Sequence, residues 1–582
     1  MIKKKRCVLV EKTKNQLSAK NETVTKVGPK GEFANSKLID HSEKLKKRIV
    51  KITDGVYQVI GVGLANTTMI EGENGIIIVD TGDGIEEAEE HLEEFRKITD
   101  KPVSAIIYTH WHYTLGTRAY VPEGQEDSIE IWSHELVDNN FTANNAELKL
   151  THTKKAYTQF GLFLPAKGPD AFPNLALGSY FIDYEKGKTR GYVKPNRTVS
   201  KACKTKIGGI NVELIPATTD TNDGLIIWLP DKGVAINNVL WGVFPNIGAL
   251  RGDTRDPKNW INSIKELHAL KPTHMIGVHG VPIFGTEECE KAIEEYHDGM
   301  QFVYDQTVRG INLGLSPEDL VEFVKLPHHL RNSPILQPFY GEVENFVRGT
   351  YAYLIGWYGN DTATIHPVSK KVEAEKIIKG FGGLDKIINE VQTAYDENEF
   401  AWAAQLITYV LILIPNHKEA CKLKALALRK LAETTPSSIT RNFYLTQVFE
   451  LEGKISPNVR VVKSDTLITM KPEALMHFLR VKLDPVKSEN VTQVMRISLS
   501  DSRDEIGLQV RKGLAEVVDF NIDSITPDLA LQTTGKDLAR LLTTEISLKD
   551  ALTLGNIKII KGDKDKVVNF LALFDEIIIS NN

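Results

Sequence analysis

Cysteine is scarce in this chain. Four residues in 582, Cys7, Cys203, Cys289 and Cys421, lie too far apart for a paired metal knuckle or a dense disulfide framework. They read as reduced thiols filling space as small apolar side chains, as in a cytoplasmic protein. Long hydrophobic runs are also missing. The most apolar stretch, AAQLITYVLILIP, falls short of the roughly 18 to 20 residues that span a bilayer and suits a buried helix, so no membrane span is expected. The opening MIKKKRCVLVEKTKN has the charge of a secretory leader but lacks the apolar run of about 7 to 15 residues an export signal needs. An excess of positive charge is absent too. The formal net charge of -5 leaves no broad basic field to grip a nucleic-acid backbone, which argues against a nucleic-acid partner.

What is present is an ordinary globular composition, 42% hydrophobic and 25% charged, in a chain too long for one core, since cores stop growing near roughly 250 to 300 residues. Two or three domains are expected. Residues 1–46 are rich in Lys, Ser, Asn and Glu without sustained periodicity and read as an arm wrapped on the surface or partly disordered. From Val50 short β-rich runs follow one another: GVYQVIG, NTTMIEG and GIIIVD. IEEAEEHLEEFRKIT then has apolar residues at helical spacing and acids in its first turns, and VSAIIYTH is a β-branched strand. The alternation returns at INVELIPAT, GLIIWLPD and GVAINNVLW, then the helix DPKNWINSIKELHALK and the strand HMIGVHG. This predicts a layered α/β domain to about residue 300. From EECEKAIEEYHDGMQFVYDQ to about residue 457 the pattern is helical. Beyond it VMRISLS, EIGLQV and NIKIIKGD alternate with helices such as LALQTTGKDLARLLT, a small α+β domain.

Chemistry-bearing residues cluster at strand ends, where α/β enzymes build their sites. IIYTHWHYTLGT puts His110 and His112 just after a buried strand, and two imidazoles this close can turn toward one ion. The acidic segment PATTDTNDG and His279 in MIGVHGVP end later strands of the same domain. Asp80, in IIIVDTGDG, is strand-terminal as well. It suits either a helix N-terminal acid or a carboxylate that orients a metal-bound histidine through its other ring nitrogen.

Together T-H-x-H, VDTGDG and GVHG resemble the metallo-β-lactamase superfamily. More narrowly, FPNIGALRGDTRD, GWYGNDTATIHP, ENEFAWAAQLI and RNFYLTQVFELEG resemble the alkyl sulfatase family, from about residue 47 to the end. The resemblance implies an αββα metallo-β-lactamase sandwich over residues 47–330, an α-helical dimerisation domain over 331–460 and a small sterol-carrier-like α+β domain over 461–582. It also implies a homodimer and a small anionic substrate such as an alkyl sulfate.

The family's metal motif is H-x-H-x-D-H-x-x-G, and this chain departs from it. After His110, Trp111, His112 and Tyr113 it runs Thr114, Leu115, Gly116, as though the D-H pair were deleted, so the second ion loses two ligands. Asp220 falls where the family has a glutamate ligand, with Asp223 as a second choice. Asn238 falls where a carboxylate bridges two ions, and a neutral amide bridges poorly. His279 matches a ligand of the second ion, free here to approach the first ion or act as a base. The expectation is one zinc ion held by His110, His112 and Asp220, helped by His279, which lowers the pKa of its water to about 7. Asn246 and Arg251 match positions that hold the sulfate head, where a guanidinium forks onto two oxygens. The function implied is metal-dependent hydrolysis of a sulfate ester or related anionic ester. The alternative is a member that binds an anionic aliphatic ligand without hydrolysis.

Overall fold

The computed structural model describes residues 24–143, 146–181, 188–252, 254–459 and 461–579, so Cys7 lies outside the described residues. The chain divides into two compact units, one of residues up to 43, 164–174 and 368–454, the other of 44–163, 175–367 and 455–582.

In the larger unit two sheets lie face to face. The first has seven strands in chain order, Arg48–Thr53, Val56–Ile60, Thr67–Glu71, Ile76–Val79, Val103–Ile107, Glu130–His134 and Arg197–Val199. Its pairing is antiparallel as far as Ile76–Val79 and parallel beyond. The second has six, from Cys203–Ile207 to Ile283–Phe284, with one parallel pair, Val234–Asn237 beside His274–Gly277. The unbroken apolar run of Ile76–Val79 follows from burial on both faces, because strand side chains alternate sides. Ile77 and Val79 join Leu214, Ile227 and Ile236 between the sheets. Ile76 and Ile78 face outward onto Ala88 and Phe95 of the helix Ile85–Arg96. The second sheet carries the helix Pro257–Ala269, which buries Trp260, Ile261, Ile264 and Leu267. These are the four layers of an αββα sandwich.

The same unit holds a five-stranded sheet in the order Leu514–Asp519, Glu505–Arg511, Thr492–Leu499, Leu529–Thr533, Lys558–Lys561. Here one expectation fails, because LALQTTGKDLARLLT is not one helix. Leu529–Thr533 is a strand pairing parallel with Thr492–Leu499, and only Gly535–Leu542 is helical, capped by Thr534. The near-continuous burial of Leu529–Thr533 in the sheet and the Thr534 cap outweigh the helical propensity of Leu and Ala.

The smaller unit is mainly helical: Lys370–Gly380, Leu384–Asp396, Phe400–Leu413, Lys418–Thr434 and Ser438–Leu451. AAQLITYVLIL lies in the helix Phe400–Leu413, which buries one face through Ala403, Ala404, Leu406, Ile407 and Val410, and among the described residues no helix is long and apolar enough to cross a membrane. Part of the expected surface arm is structured here. Thr25–Val27 pairs with Phe33–Asn35, and Ala34, Leu38 and Ile39 are buried. The reason is tertiary: Asn35 donates to Thr434 O, and the buried Arg441 donates to Phe33 O and Pro169 O.

Candidate metal centre and anion-lined cavity

The site forms at the carboxyl ends of the strands. After Val103–Ile107 a short 3-10 turn, Trp111–Tyr113, swings the chain so that both imidazoles of the His-x-His segment turn inward. His110 Nε2 and His112 Nδ1 stand 3.1 Å apart, and His112 Nδ1 is 3.1 Å from Asp220 Oδ2. The three ligand atoms lie within 4.8 Å of one another. Donors about 2.0–2.1 Å from a common tetrahedral ion stand roughly 3.3 Å apart, so the two 3.1 Å spacings fit one ion. Asp220, and not Asp223, joins the histidines; Asp223 is buried on Thr221 Oγ1.

His110 is oriented from behind. Asp80, with φ of 58° at the end of Ile76–Val79, accepts from Thr109 N at 2.8 Å and Thr109 Oγ1 at 2.6 Å. An aspartate tolerates that left-handed backbone. Since the threonine hydroxyl donates to the carboxylate, it accepts from His110 Nδ1, 2.9 Å away. That hands the Nε2 lone pair to the site. Asp80 therefore reaches the histidine through Thr109 rather than directly. The price of its burial is a carboxyl pushed up to about 7, against the opposing pull of the Thr109 hydrogen bonds.

Asn238 lies just past Val234–Asn237. Trp241 Nε1 donates to Asn238 O and Oδ1, both at 3.0 Å, which turns the amide nitrogen toward Asp220 Oδ1 at 2.8 Å. The amide thus acts as a donor beside the triad. His279 stands apart from the three clustered ligand atoms. Its Nδ1 is 3.1 Å from Leu64 O, a pure acceptor, so Nδ1 carries the proton and Nε2 accepts from the Tyr113 hydroxyl at 3.2 Å. Tyr113 is therefore a residue with a local role that sequence reading overlooked. The loop after His112 closes against the turn after Asp80. Thr81 N donates to Tyr113 O, and a Cβ on Gly116 would come within 2.0 Å of Thr81 O, so only glycine fits.

Burial dominates the electrostatics. It lowers His110 to about 3 and His279 to about 4, keeping both imidazoles neutral as metal ligation or base chemistry requires. Burial also opposes charge on Asp220, but the His112 imidazole beside it prevails and holds the carboxyl well below its usual range.

Above these groups lies a cavity of about 210 Å³. His112, Asp220, His279 and Arg251 line it, whereas His110, Asn238 and Asn246 are not on its wall. Arg255, another residue the sequence reading passed over, also lines it. Its guanidinium sits over the Trp241 ring and donates to Asn246 O. Leu64, Leu115, Leu177, Phe160 and Phe181 supply an apolar wall.

An αββα sandwich with a His-x-His turn at its strand ends defines a metallo-β-lactamase-type domain, and residues 60–113 match the family described as metallo-beta-lactamase superfamily. Residues 316–454 match alkyl sulfatase dimerisation and 460–578 match alkyl sulfatase C-terminal. The chain belongs to the alkylsulfatase family. It is 32% identical over 526 residues to a linear primary-alkylsulfatase of Pseudomonas sp., covering 87% of this chain and 98% of that one. It is 26% identical to the alkyl/aryl-sulfatase BDS1 of Saccharomyces cerevisiae, covering 91% and 82%. The solved structure of the inverting sec-alkylsulfatase Pisa1 from Pseudomonas sp. shares the fold, with a TM-score of 0.82 and 22% identity over 94% of this chain and 88% of that one.

Proposed function

We propose that this protein hydrolyses alkyl sulfate esters with the help of a single divalent ion, zinc, held by His110, His112 and Asp220. The observation that carries the reading is the convergence of those three ligand atoms beside a cavity that His112 and Asp220 line together with arginines and apolar side chains, in a chain of this family. An ion bound there supplies Lewis acidity and a lowered pKa for water. Arg251 and Arg255 bind the sulfate oxygens through charge-assisted hydrogen bonds, and Asn246 supports Arg255 through its carbonyl. The apolar wall takes the alkyl portion and excludes water. His279, neutral and with its proton fixed on Nδ1, serves as the proton acceptor at Nε2 once Tyr113 yields the hydrogen bond.

One ion rather than two is supported by Tyr113, whose phenol occupies the Nε2 face of His279, and by the amide at Asn238. The dimerisation-family match supports one further reading, that residues 331–460 pair two copies of the chain; the reading of residues 461–582 as a sterol-carrier-like domain rests on the sequence resemblance. The test is elemental analysis of protein purified without added metal, with sulfate release from alkyl sulfates measured before and after chelation. One ion per chain and chelator-sensitive turnover are expected. Metal-free protein without turnover, even after zinc is restored, would leave only the anion-binding reading.

A further inference from the structure

The cavity holds more positive charge than a sulfate ester can use. Its wall carries five cationic side chains, Lys149, Lys188, Arg190, Arg251 and Arg255, against two carboxylates, Asp83 and Asp220. Asp83 is taken by Lys188 at 3.4 Å, and Asp220 faces His112. Arg251 and Arg255 suffice for one sulfate head. That leaves Lys149 and Arg190, which lie close enough for each to feel the other's like charge. Among the described residues neither side chain makes an ion pair with a carboxylate, although Arg190 feels the charge of Asp83, which Lys188 already holds.

The backbone adds to the imbalance. Lys149 opens the helix Lys149–Gln159, whose cap, Leu148, offers no side-chain acceptor and whose first turn has no acidic residue. A helix N-terminus favours anions and disfavours a lysine. The face that lines the cavity runs from Lys149 and His152 to Ala156, Tyr157 and Phe160, cationic at its start and apolar toward its end. Two opposed cations at an acid-free helix start, in a cavity already provided with arginines, are costly unless an anion joins them.

We propose that Lys149 and Arg190 form a second anion subsite, so that the preferred substrate carries a second oxyanion group, such as a carboxylate, besides its sulfate ester. This rests on the sulfatase reading for the first anion but concerns binding alone.

The test therefore uses ligands that cannot be hydrolysed. Alkanesulfonates from butane to decane are compared by calorimetry with the same chains ending in a carboxylate, on the full-length protein. At the best chain length the carboxylated ligand is expected to bind tighter by about tenfold or more, the range of a charge-assisted contact. That ratio falls toward one in Lys149→Met and in Arg190→Met, and Lys149→Arg restores it. A ratio near one in the parent protein at every length overturns the proposal. So does a ratio that survives both methionine substitutions, since the two cations would then hold the sulfonate itself or nothing. Sulfate release is measured separately. A carboxylate preference without any turnover would sink the hydrolase reading and leave the second subsite standing.

Discussion

Thr109→Val isolates the support behind the metal centre while leaving every candidate ligand in place. Valine keeps the β-branched shape that suits a strand end but removes the hydroxyl that joins His110 Nδ1 to Asp80 Oδ2. All three residues are buried, His110 and Thr109 at 0% exposure and Asp80 at 1%, so water cannot replace the lost partner. Asp80 keeps its bond from Thr109 N, but the His110 N–H loses its acceptor. A buried orphan costs about 1–3 kcal/mol. The imidazole relieves that cost by rotating or by moving its proton to Nε2, and either change removes the lone pair from the site. Loss of such an outer partner weakens ion binding by roughly 10- to 100-fold, or about 1.4–2.7 kcal/mol. The measurement is zinc affinity by competition with a chromophoric chelator, with circular dichroism confirming that the variant is folded. A folded variant that binds zinc within about twofold of the parent would refute the relay.

Two further outcomes follow from buried hydrogen bonds and charges. Tyr113→Phe removes the donor to His279 Nε2 and leaves a buried acceptor, which should lower stability to urea by about 1–3 kcal/mol; an unchanged midpoint would mean that the bond is not made in solution. His91, buried with Nδ1 on Thr67 Oγ1, is lowered by burial from 6.5 to about 3. The unfolded chain therefore binds the proton first, and the stability that a neutral His91 provides is present above pH 6.5 and lost as pH falls toward 3. Between pH 6.5 and about 5 the loss is roughly 2 kcal/mol. His91→Leu should flatten that part of the profile of denaturation midpoint against pH, and an equally steep profile would count against the assignment.

The strand-terminal position of His110, His112 and His279 could be read from apolar runs that stop at polar residues, because a strand buried on both faces has no other place to show chemistry. The choice of Asp220 over Asp223 came from resemblance; in the fold Asp220 Oδ2 stands 3.1 Å from His112 Nδ1. The helix Ile85–Arg96 was legible from its spacing, whereas Leu529–Thr533 was not: its five residues fit either period, and only pairing with Thr492–Leu499 decides. The hairpin and helix within residues 25–41 escaped notice because their stabilising partners, Thr434 and Arg441, lie about four hundred positions away.

By itself, then, the sequence determined the layered fold and the strand-end position of the His-x-His segment, since each is written in local pattern. Tertiary structure alone decided that Tyr113 lies against His279, that Thr109 links Asp80 to His110, and that Lys149 and Arg190 share a cavity with Arg251. Periodicity fixes which face a side chain leaves from. The groups it meets depend on how distant strand ends and loops are brought together, and no local pattern encodes those distances.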